Sequence, residues 1–488
     1  MTEYEPVIGL EVHAELLTES KMFCGCRVVD SVEAPPNTAV CPVCLGMPGM
    51  LPVINRRAIE MAMRVALALN CTIQPHNVFA RKNYFYPDLP KAYQISQYEL
   101  PLAINGWVDI DIDVDQPEKR QKRIYIRRVH LEEDTGKLTH LENGHGSLID
   151  FNRSGVPLLE IVSEPDMNSI PETRNYAMKI RQILRYLGVN SGDMEKGVIR
   201  FEANVSLRPA GSTQLGTRTE IKNLNSFRAL TDAIAYELDR QQELLDAGKE
   251  IVQDTMGWSE ARRETFSQRG KEEAHDYRYF PEPDLPPLAI SAAWVEEVKI
   301  SLPELPDAKM ARYLTEHNIT PYEANVLAEE RPVAEWYEAT VAADGDPSAV
   351  ANWMINVLFS FMNEHKLTIE QIKVTPAGLV ELLSLIEAEI INNNTAKEVL
   401  AIMFTTGRSA QEVVDERGLA QISDEEQIAT LIAQVLDDNP EQVRDYLQGK
   451  EQLRGWFVGQ VMRSSRGKAN PTLVNKLLTM QLSSLKEA

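Results

Sequence analysis

The sequence Val7-Ile-Gly-Leu-Glu-Val-His-Ala-Glu-Leu16 carries the pattern from which we predict the fold of the first part of the chain. Apolar side chains alternate in it with Glu11, His13 and Glu15, and a period of two is typical of a strand with one buried face. Similar alternation recurs at residues 127–134 and 198–208, and helical patterns interrupt these strands. We therefore expect one large α+β domain, built on a sheet with an apolar face and a charged face.

The charged face of this predicted sheet is the candidate site, because it mixes carboxylates with Arg, His and Asn. Such a face can hold Mg²⁺ through oxygen atoms and neutralise nucleotide phosphates through guanidinium groups. The alternative is an ordinary solvated sheet face, and composition alone does not separate the two. The positions concerned are Glu11, His13 and Glu15, then Arg128, His130, Glu132 and Asp134, then Arg200, Glu202, Asn204 and Arg208, and finally Arg218, Glu220 and Lys222.

The usual nucleotide-binding loops are absent from the sequence. Asp134-Thr-Gly-Lys137 contains a Gly-Lys pair, but the upstream glycine of a P-loop would fall at Leu131. Any ATP chemistry therefore has to use carboxylates and a metal ion on the sheet rather than a glycine-rich phosphate loop.

Charge and length exclude several classes of protein. The 488 residues include 50 Lys+Arg against 72 Asp+Glu, so the net charge is −22. This acidity excludes a globally basic nucleic-acid binder, and any contact with nucleic acid has to come from local patches. No apolar run is long enough to span a membrane and the N-terminus lacks a signal peptide, so we expect a cytoplasmic protein.

Four of the five cysteines form one cluster, Cys24-x-Cys26 and Cys41-x-x-Cys44. In a reducing compartment this spacing predicts a tetrahedral Zn²⁺ bound by four thiolates rather than disulfides. Four sulfur ligands fill the coordination shell, so such a zinc would be structural. The alternative is four unrelated buried thiols.

A proline-dense stretch, Phe280-Pro-Glu-Pro-Asp-Leu-Pro-Pro287, indicates a boundary, and the pattern after it is almost purely helical. We expect a catalytic domain at 1–292 with a zinc insert at 24–44, an all-α helical domain at 293–407 and a small all-α tail domain at 408–488. The last 38 residues are locally basic, which predicts contact with RNA phosphates; the alternative is a solvated helix face.

Six longer motifs carry a resemblance to a known family. They are Val7-Ile-Gly-Leu-Glu-Val-His13, Arg81-Lys-Asn-Tyr-Phe-Tyr-Pro-Asp88, Lys91-Ala-Tyr-Gln-Ile-Ser-Gln97, Glu220-Ile-Lys-Asn-Leu-Asn-Ser226, Asp276-Tyr-Arg-Tyr-Phe-Pro-Glu-Pro-Asp284 and Val458-Gly-Gln-Val-Met-Arg-Ser-Ser-Arg-Gly-Lys-Ala-Asn-Pro471. These motifs resemble the B subunits of tRNA-dependent amidotransferases, the GatB family, and the resemblance extends from about residue 5 to 483. It implies a cradle-like catalytic domain of the glutamine synthetase superfamily type, followed by a helical domain and a tail domain.

The resemblance also implies a reaction and partners. A misacylated Glu-tRNA(Gln), Asp-tRNA(Asn) or both would be phosphorylated by ATP on the side-chain carboxylate, and ammonia would then displace the phosphate to form the amide. The protein would thus be a ligase that forms a carbon–nitrogen bond with glutamine as amido donor. A separate amidase (glutaminase) chain of the complex would release the ammonia and pass it through an internal channel. A third, small chain would complete a heterotrimer.

The family's site residues map onto the charged sheet face. The resemblance implies that Glu11, His13, Glu132 and Glu133 are catalytic and bind Mg²⁺, that Glu202 is also catalytic, and that Zn²⁺ is structural at the cysteine cluster. It implies nucleotide contacts by Arg200, Asn204, Arg208 and Lys222, and tRNA contacts by Arg463, Arg466 and Lys468.

Two other functions remain as alternatives. One is a zinc-stabilised RNA-binding scaffold with a decayed active site, which the intact carboxylate-bearing strands disfavour. The other is a stand-alone ATP-dependent carboxylate–amine ligase that uses free ammonia. The long helical and tail regions disfavour it, because a small substrate would not need them.

Overall fold

The computed structural model of the chain describes residues 3–112, 120–141, 146–270, 277–421, 424–465 and 468–487. It contains two compact units, Met1–Leu305 and Pro306–Ala488. The first combines sheets with helices and the second is helical, so the predicted α+β class is confirmed. Within the described residues, every helix is too short or too polar to cross a bilayer.

Among the described residues, all the strands lie in the first unit. They are β1 (Tyr4–Glu15), β2 (Thr72–Ile73), β3 (His76–Asn77), β4 (Phe79–Asn83), β5 (Tyr93–Gln97), β6 (Ala103–Asp111), β7 (Gln121–Glu133), β8 (Lys137–His140), β9 (Ser147–Asp150), β10 (Pro157–Ser163), β11 (Ile199–Pro209), β12 (Thr219–Leu224), β13 (Asp254–Ser259), β14 (Glu264–Gly270), β15 (Phe280–Pro281) and β16 (Leu288–Ala289). The helices of this unit are α1 (Arg56–Ala68), α2 (Ile170–Tyr186), α3 (Phe227–Asp246) and α4 (Ala292–Ile300).

A nine-stranded sheet organises this unit, in the order β14-β13-β12-β11-β1-β10-β7-β6-β2. All neighbouring strands are antiparallel except β12 and β13, which are parallel. Strand β1 therefore lies near the centre, between β11 and β10. Three strands that are far apart in sequence thus place their side chains next to one another.

The two faces of the sheet differ as the alternation predicts. The apolar positions of β1 and β11, such as Ile8, Val12 and Phe201, are buried in one large core against α1, α2 and α3. Helix α2 begins after Ser169, whose hydroxyl accepts a hydrogen bond from the Glu172 N–H. Burial of apolar side chains on one face leaves the alternate positions of the same strands for the other face, where the charged residues lie.

Helix α4 belongs to the first unit, because Val298 is buried in its core and Arg56 of α1 stacks over Trp294. The compact unit therefore extends to Leu305, whereas the sequence pattern placed the boundary after residue 292. The position of the domain boundary itself remains a prediction.

In its described parts, the second unit consists of α-helices and one π-helical turn, Met354–Leu358. Its α-helices are α5 (Pro306–Glu316), α6 (Pro321–Ala328), α7 (Arg331–Ala342), α8 (Pro347–Trp353), α9 (Phe359–His365), α10 (Pro376–Glu387), α11 (Asn393–Thr406), α12 (Ala410–Arg417), α13 (Glu425–Asp438), α14 (Pro440–Leu447), α15 (Leu453–Ser464) and α16 (Pro471–Glu487).

This helical unit has two separate cores. Helices α13, α15 and α16 form the second core, whereas Val413 and Val414 of α12 are buried in the first, with α10 and α11. Helix α12 therefore packs with the helices before it, although the sequence pattern assigned it to the tail. This helix begins with a capping box: the Ser409 hydroxyl accepts a hydrogen bond from the Glu412 N–H, and the Glu412 carboxylate accepts one from the Ser409 N–H. The sequence Ser423-x-x-Glu426 predicts a second capping box, and Ser423 lies outside the described residues.

Candidate functional site

The candidate site is built around a row of side chains that crosses four strands. His13 of β1 lies opposite Glu160 of β10 and opposite Arg200 of β11, and Glu160 in turn lies opposite His130 of β7. Oε2 of Glu160 is 3.4 Å from Nε2 of His13 and 3.1 Å from Nε2 of His130. One buried carboxylate is thus shared by two imidazoles.

Glu132 completes a first cluster, the His13–Glu132–Glu160 triad. Its Oε1 lies 3.6 Å from Nε2 of His13, and one potential ligand atom from each of the three residues lies within 4.8 Å of the others. Nδ1 of His13 and Nδ1 of His130 are buried and have no hydrogen-bond partner among the described residues. The described part of the protein therefore leaves two hydrogen-bonding atoms at this cluster without a partner.

A second cluster, the Glu11–Glu202–Glu220 triad, lies beside the first. Glu11 and Glu202 are opposite each other on β1 and β11, and Glu11 is two residues from His13 on the same face of β1. Asn204 donates to Glu11 (Nδ2–Oε1 2.9 Å), while its own Oδ1 is buried and unpaired within the described chain. Lys222 Nζ lies 3.0 Å from Glu202 and 3.6 Å from Glu220.

The crowding of these carboxylates changes the proton affinities of the site. Burial raises the pKa of Glu11, and the charges of the neighbouring glutamates raise it further. Burial lowers the pKa of His13, but its hydrogen bond to Glu160 and the surrounding carboxylates outweigh burial and raise that pKa to about 9. Burial raises the pKa of Glu160, but the two histidines outweigh burial and hold it well below its usual value.

Cations surround both triads. The charge of Glu202 raises the pKa of Lys222, so its ammonium persists. Arg200 donates to Asp134 (NH2–Oδ2 2.9 Å), which holds the guanidinium at the edge of the row. Burial lowers the pKa of Lys82, but nearby groups that include Tyr279 and Glu132 raise it overall. Positive groups therefore lie next to the carboxylates of both triads.

Two residues assigned to the site by resemblance lie apart from the triads. Glu133 has the opposite parity to Glu132, binds Lys91 (2.8 Å) and accepts a hydrogen bond from the Ile95 N–H (2.9 Å). Arg208 lies near the end of β11, where Nε donates to Glu5 (3.2 Å). The structure does not bring either side chain into the two clusters.

Glu160 is the residue that the alternation argument missed. It lies in Pro157-Leu-Leu-Glu-Ile-Val-Ser163, a strand that is buried throughout and reads as apolar. The available signal was the single carboxylate within it, because an unpaired charge is rarely placed in a buried strand. His130 and Glu220 stand out in the sequence as charged positions, but the sequence assigns them no role.

The four clustered cysteines meet as their spacing predicts. The sulfur of Cys44 lies 3.9 Å from that of Cys41 and 4.0 Å from that of Cys26, and Cys24 completes the group. Tetrahedral zinc with Zn–S bonds of about 2.3 Å would place the sulfurs about 3.8 Å apart. A hydrogen bond from Cys24 lowers the pKa of Cys44 to about 4; burial opposes this, and the Cys41 N–H and Lys21 assist it.

The basic residues of the tail have different environments. Arg463 is exposed on α15, whereas Lys468 donates to the carbonyl oxygen of Gly418 at the end of α12 (2.6 Å). Lys468 therefore closes a helix end, which is a common structural role for lysine. Arg466 lies outside the described residues.

Comparison with known proteins identifies the chain's relatives. A model of the GatB/GatE catalytic domain matches residues 6–296, which include both triads and the cysteine cluster, and a model of the GatB domain matches residues 335–482. A protein from Thermodesulfovibrio yellowstonii is 52% identical over 476 residues, which cover 98% of each chain. One from Thermoanaerobacter sp. (strain X514) is 50% identical over 481 residues, 99% of this chain and 100% of the relative.

A third relative, from Persephonella marina, is 50% identical over 477 residues, 98% of this chain and 99% of its own. All three relatives are named as B subunits of aspartyl/glutamyl-tRNA(Asn/Gln) amidotransferases. The similarity extends over the α+β unit with its charged sheet face and over most of the helical unit. The chain therefore belongs to the GatB family, the B subunits of the aspartyl/glutamyl-tRNA(Asn/Gln) amidotransferases.

Proposed function

We propose that this chain is the component that converts misacylated Glu-tRNA(Gln), Asp-tRNA(Asn) or both into the amidated aminoacyl-tRNA in an ATP-dependent reaction. The observation that carries the proposal is the pair of adjacent triads on the charged face of the sheet. A phosphoryl-transfer site without a glycine-rich loop requires such a grouping of carboxylates and cations.

The chemistry starts from the side-chain carboxylate of the aminoacyl group, which is a poor electrophile. Transfer of a phosphoryl group from ATP to one carboxylate oxygen forms an acyl phosphate and ADP. Ammonia then attacks the acyl carbon, the C–O bond to phosphate breaks, and the amide and inorganic phosphate are released. Both steps concentrate negative charge in the site, so cationic groups must face it.

The two triads have the ligand types of divalent-cation sites. Carboxylate oxygens with at most one imidazole suit Mg²⁺ or Mn²⁺ better than they suit zinc. The unpaired Oδ1 of Asn204 beside Glu11 supplies a further oxygen at the second triad. Mg²⁺ bound there would neutralise charge on the transferred phosphoryl group.

The chain's own cations serve the nucleotide in this proposal. Arg200 and Lys222 border the triads and carry charges that match phosphate oxygens. Lys222 also holds Glu202 and Glu220 on one side of the site, so the two carboxylates are oriented before a ligand arrives. Arg208, near the end of β11, would contact the part of the nucleotide that lies farthest from the triads.

The remaining parts of the chain have supporting roles. Zn²⁺ at the four cysteines is structural, because the thiolates would fill its coordination shell. We assign the first unit to the cradle-like glutamine synthetase superfamily type and the tail to contact with the tRNA body. Ammonia comes from an amidase chain within a heterotrimer that also contains a third, small chain, and the complex works in the cytoplasm.

The test uses Glu160→Gln in the complex with the amidase chain and the small chain. ADP formation should require misacylated tRNA in the unmodified complex and fall by at least about a hundredfold in the variant, which is the scale of losing a positioned electrostatic group. Glutamine hydrolysis without tRNA should remain. Glu164→Gln, which removes a partly exposed partner of Arg127 instead, is the matched control.

Two outcomes would contradict the proposal. Unchanged tRNA-dependent ADP formation in Glu160→Gln would remove the first triad from the reaction. ATP turnover with free aspartate or glutamate and ammonia, independent of tRNA, would favour a stand-alone ligase.

A further inference from the structure

Lys21 is a fully buried lysine next to the cysteine cluster, with a relative exposure of 0%. Its ammonium donates to the sulfur of Cys44 (3.6 Å) and to the carbonyl oxygen of Phe151 (3.2 Å). Within the part of the chain that the structure describes, it forms no ion pair with a carboxylate. The charged partner available to this buried cation is therefore the cysteine cluster.

A cation of this kind stabilises the cluster when the thiols are ionised and bind a metal. An isolated buried ammonium group strongly destabilises the folded state. Thiols that remain protonated are neutral, so they give the ammonium no counter-charge. Zinc bound by four thiolates carries a net charge of −2. One ammonium within hydrogen-bond reach of a thiolate reduces that charge to −1 and stabilises the sulfur through an N–H···S contact. The cation and the metal-bound cluster therefore stabilise each other.

We propose that Lys21 is the residue that neutralises part of the charge of the zinc–thiolate centre and sets its affinity for zinc. The proposal rests on the zinc site of the proposed function and adds a role for a residue that is not a ligand. Groups that contact metal ligands commonly change metal affinity by 10- to 100-fold.

The same residue joins the cysteine insert to the strand that leads into the site. The Phe151 carbonyl belongs to the loop before β10, where Ser154 donates to the Cys44 carbonyl (3.1 Å). Gly155 of that loop donates to the carbonyl of Asp134 (2.9 Å), whose side chain binds Arg200. Loss of the zinc–Lys21 unit should therefore loosen this loop first.

The experiment compares the full-length chain with its Lys21→Met and Lys196→Met variants by competition of bound zinc against a chromophoric chelator. Methionine has nearly the length of lysine but no charge. Lys196 is the matched control, because it also contacts the insert, but through Asp30 and Glu33 rather than a sulfur. Lys21→Met should lose its zinc at a free chelator concentration at least about tenfold lower than the unmodified chain does. Lys196→Met should lose zinc at the same chelator concentration as the unmodified chain.

Replacing Zn²⁺ with Co²⁺ gives a second measurement, the thiolate-to-cobalt charge-transfer band, which a loss of side-chain packing would not shift. An N–H···S hydrogen bond stabilises the thiolate electrons, so its removal should shift the thiolate-to-cobalt charge-transfer band to longer wavelength in Lys21→Met. An unchanged zinc affinity together with an unchanged band would overturn the role of Lys21. If the unmodified chain itself binds no zinc, the zinc site fails, and that result is distinct from a failure of Lys21 alone.

A third comparison covers the case in which Lys21→Met does not fold. In a Cys41→Ser/Cys44→Ser background the ammonium has lost its counter-charge, so Lys21→Met should there leave the melting temperature unchanged or raise it. A further fall in melting temperature in that background would show that Lys21 acts through packing, which overturns the proposal.

Discussion

His13 and Glu160 lie directly opposite each other on β1 and β10, with Nε2 of the histidine 3.4 Å from Oε2 of the glutamate. The pair joins two strands that are separated by about 150 residues of sequence. Because Glu160 also binds His130, its carboxylate fixes both imidazole rings. Glu160 is therefore both a potential metal ligand and the residue that orients the others.

The two triads should bind divalent cations independently. Mn²⁺ titration of the full chain should detect two sites, and Glu160→Gln and Glu220→Gln should each weaken a different one by at least about tenfold. Each substitution removes one carboxylate from one triad and leaves the other triad intact. If both variants bound Mn²⁺ like the unmodified chain, and Glu164→Gln did as well, neither triad would be a metal site.

Lys222→Met should change the affinity for the nucleotide without weakening the affinity for the metal ion. The variant loses a cation beside Glu202 and Glu220, so the KM for ATP should rise by about tenfold, the effect of one charge-assisted contact. Mn²⁺ affinity should stay equal or increase, because the local negative charge grows. Steady-state kinetics and Mn²⁺ titration measure the two effects, with Lys249→Met on an exposed loop as control. A parallel loss of both would indicate general unfolding of the site.

Zinc should contribute to stability rather than to chemistry. Protein purified without chelators should contain about one zinc per chain, and Cys41→Ser/Cys44→Ser should contain none. The double variant should melt at a lower temperature, while the folded fraction retains tRNA-dependent ADP formation. Elemental analysis and thermal denaturation check both points; absence of zinc from the unmodified chain would leave the cluster as four free thiols.

Glu237 should make stability depend on pH. Burial raises its pKa, but hydrogen bonds from Arg240, Thr219 and Gln241 outweigh burial and lower it below 4.5. A carboxylate with a lowered pKa stabilises the fold above its unfolded pKa and loses that contribution as the pH falls through the folded value. Glu237→Gln should therefore cost about 2 kcal/mol of unfolding free energy at neutral pH, and less as the pH drops below 4.5.

Urea denaturation at pH 7, 5.5 and 4 measures this difference, with the exposed Glu243→Gln of the same helix as control. The loss of unfolding free energy caused by Glu237→Gln should be similar at pH 7 and 5.5 and smaller at pH 4. A penalty that grows toward pH 4 would contradict the assigned direction of the shift.

Arg463 should contribute affinity for tRNA without affecting catalysis. Arg463→Ala should weaken tRNA binding and reduce the salt dependence by about one unit of slope, as expected for one lost phosphate contact. Lys450→Ala is the control, because that lysine already pairs with Asp445. Lys468→Ala should also lower stability, since Lys468 binds Gly418. Unchanged affinity and slope in Arg463→Ala would leave α15 as a solvated surface.

A truncation test needs a boundary that respects the helical cores. Removal of residues 410–488 would delete α12 and expose the core that buries Val413 and Val414. Removal of residues 424–488 keeps that core intact. The shorter deletion should raise the KM for charged tRNA and leave glutamine hydrolysis near normal, whereas the longer one should also reduce yield and melting temperature.

Alternation in the sequence was enough to predict which side chains share a face of the sheet. Alternation along β1 and β11 depends only on strand geometry, so Glu11, His13, Glu202 and Asn204 could be grouped without knowing their partners. Cysteine spacing likewise predicted the four-sulfur cluster, because ligand pairs close in sequence meet when one loop closes.

Which strands are neighbours in the sheet could be learned only from the folded chain. Strand order depends on long-range pairing, so the position of Glu160 between His13 and His130 could not be read from an apolar strand with one carboxylate. Alternation along β7 already places Glu132 and Glu133 on opposite faces, but only the folded sheet gives them their partners: the backbone of β5 binds the carboxylate of Glu133, while the first triad holds that of Glu132. Side-chain parity is local, whereas the partners that give a buried charge its role are brought together by the folded sheet.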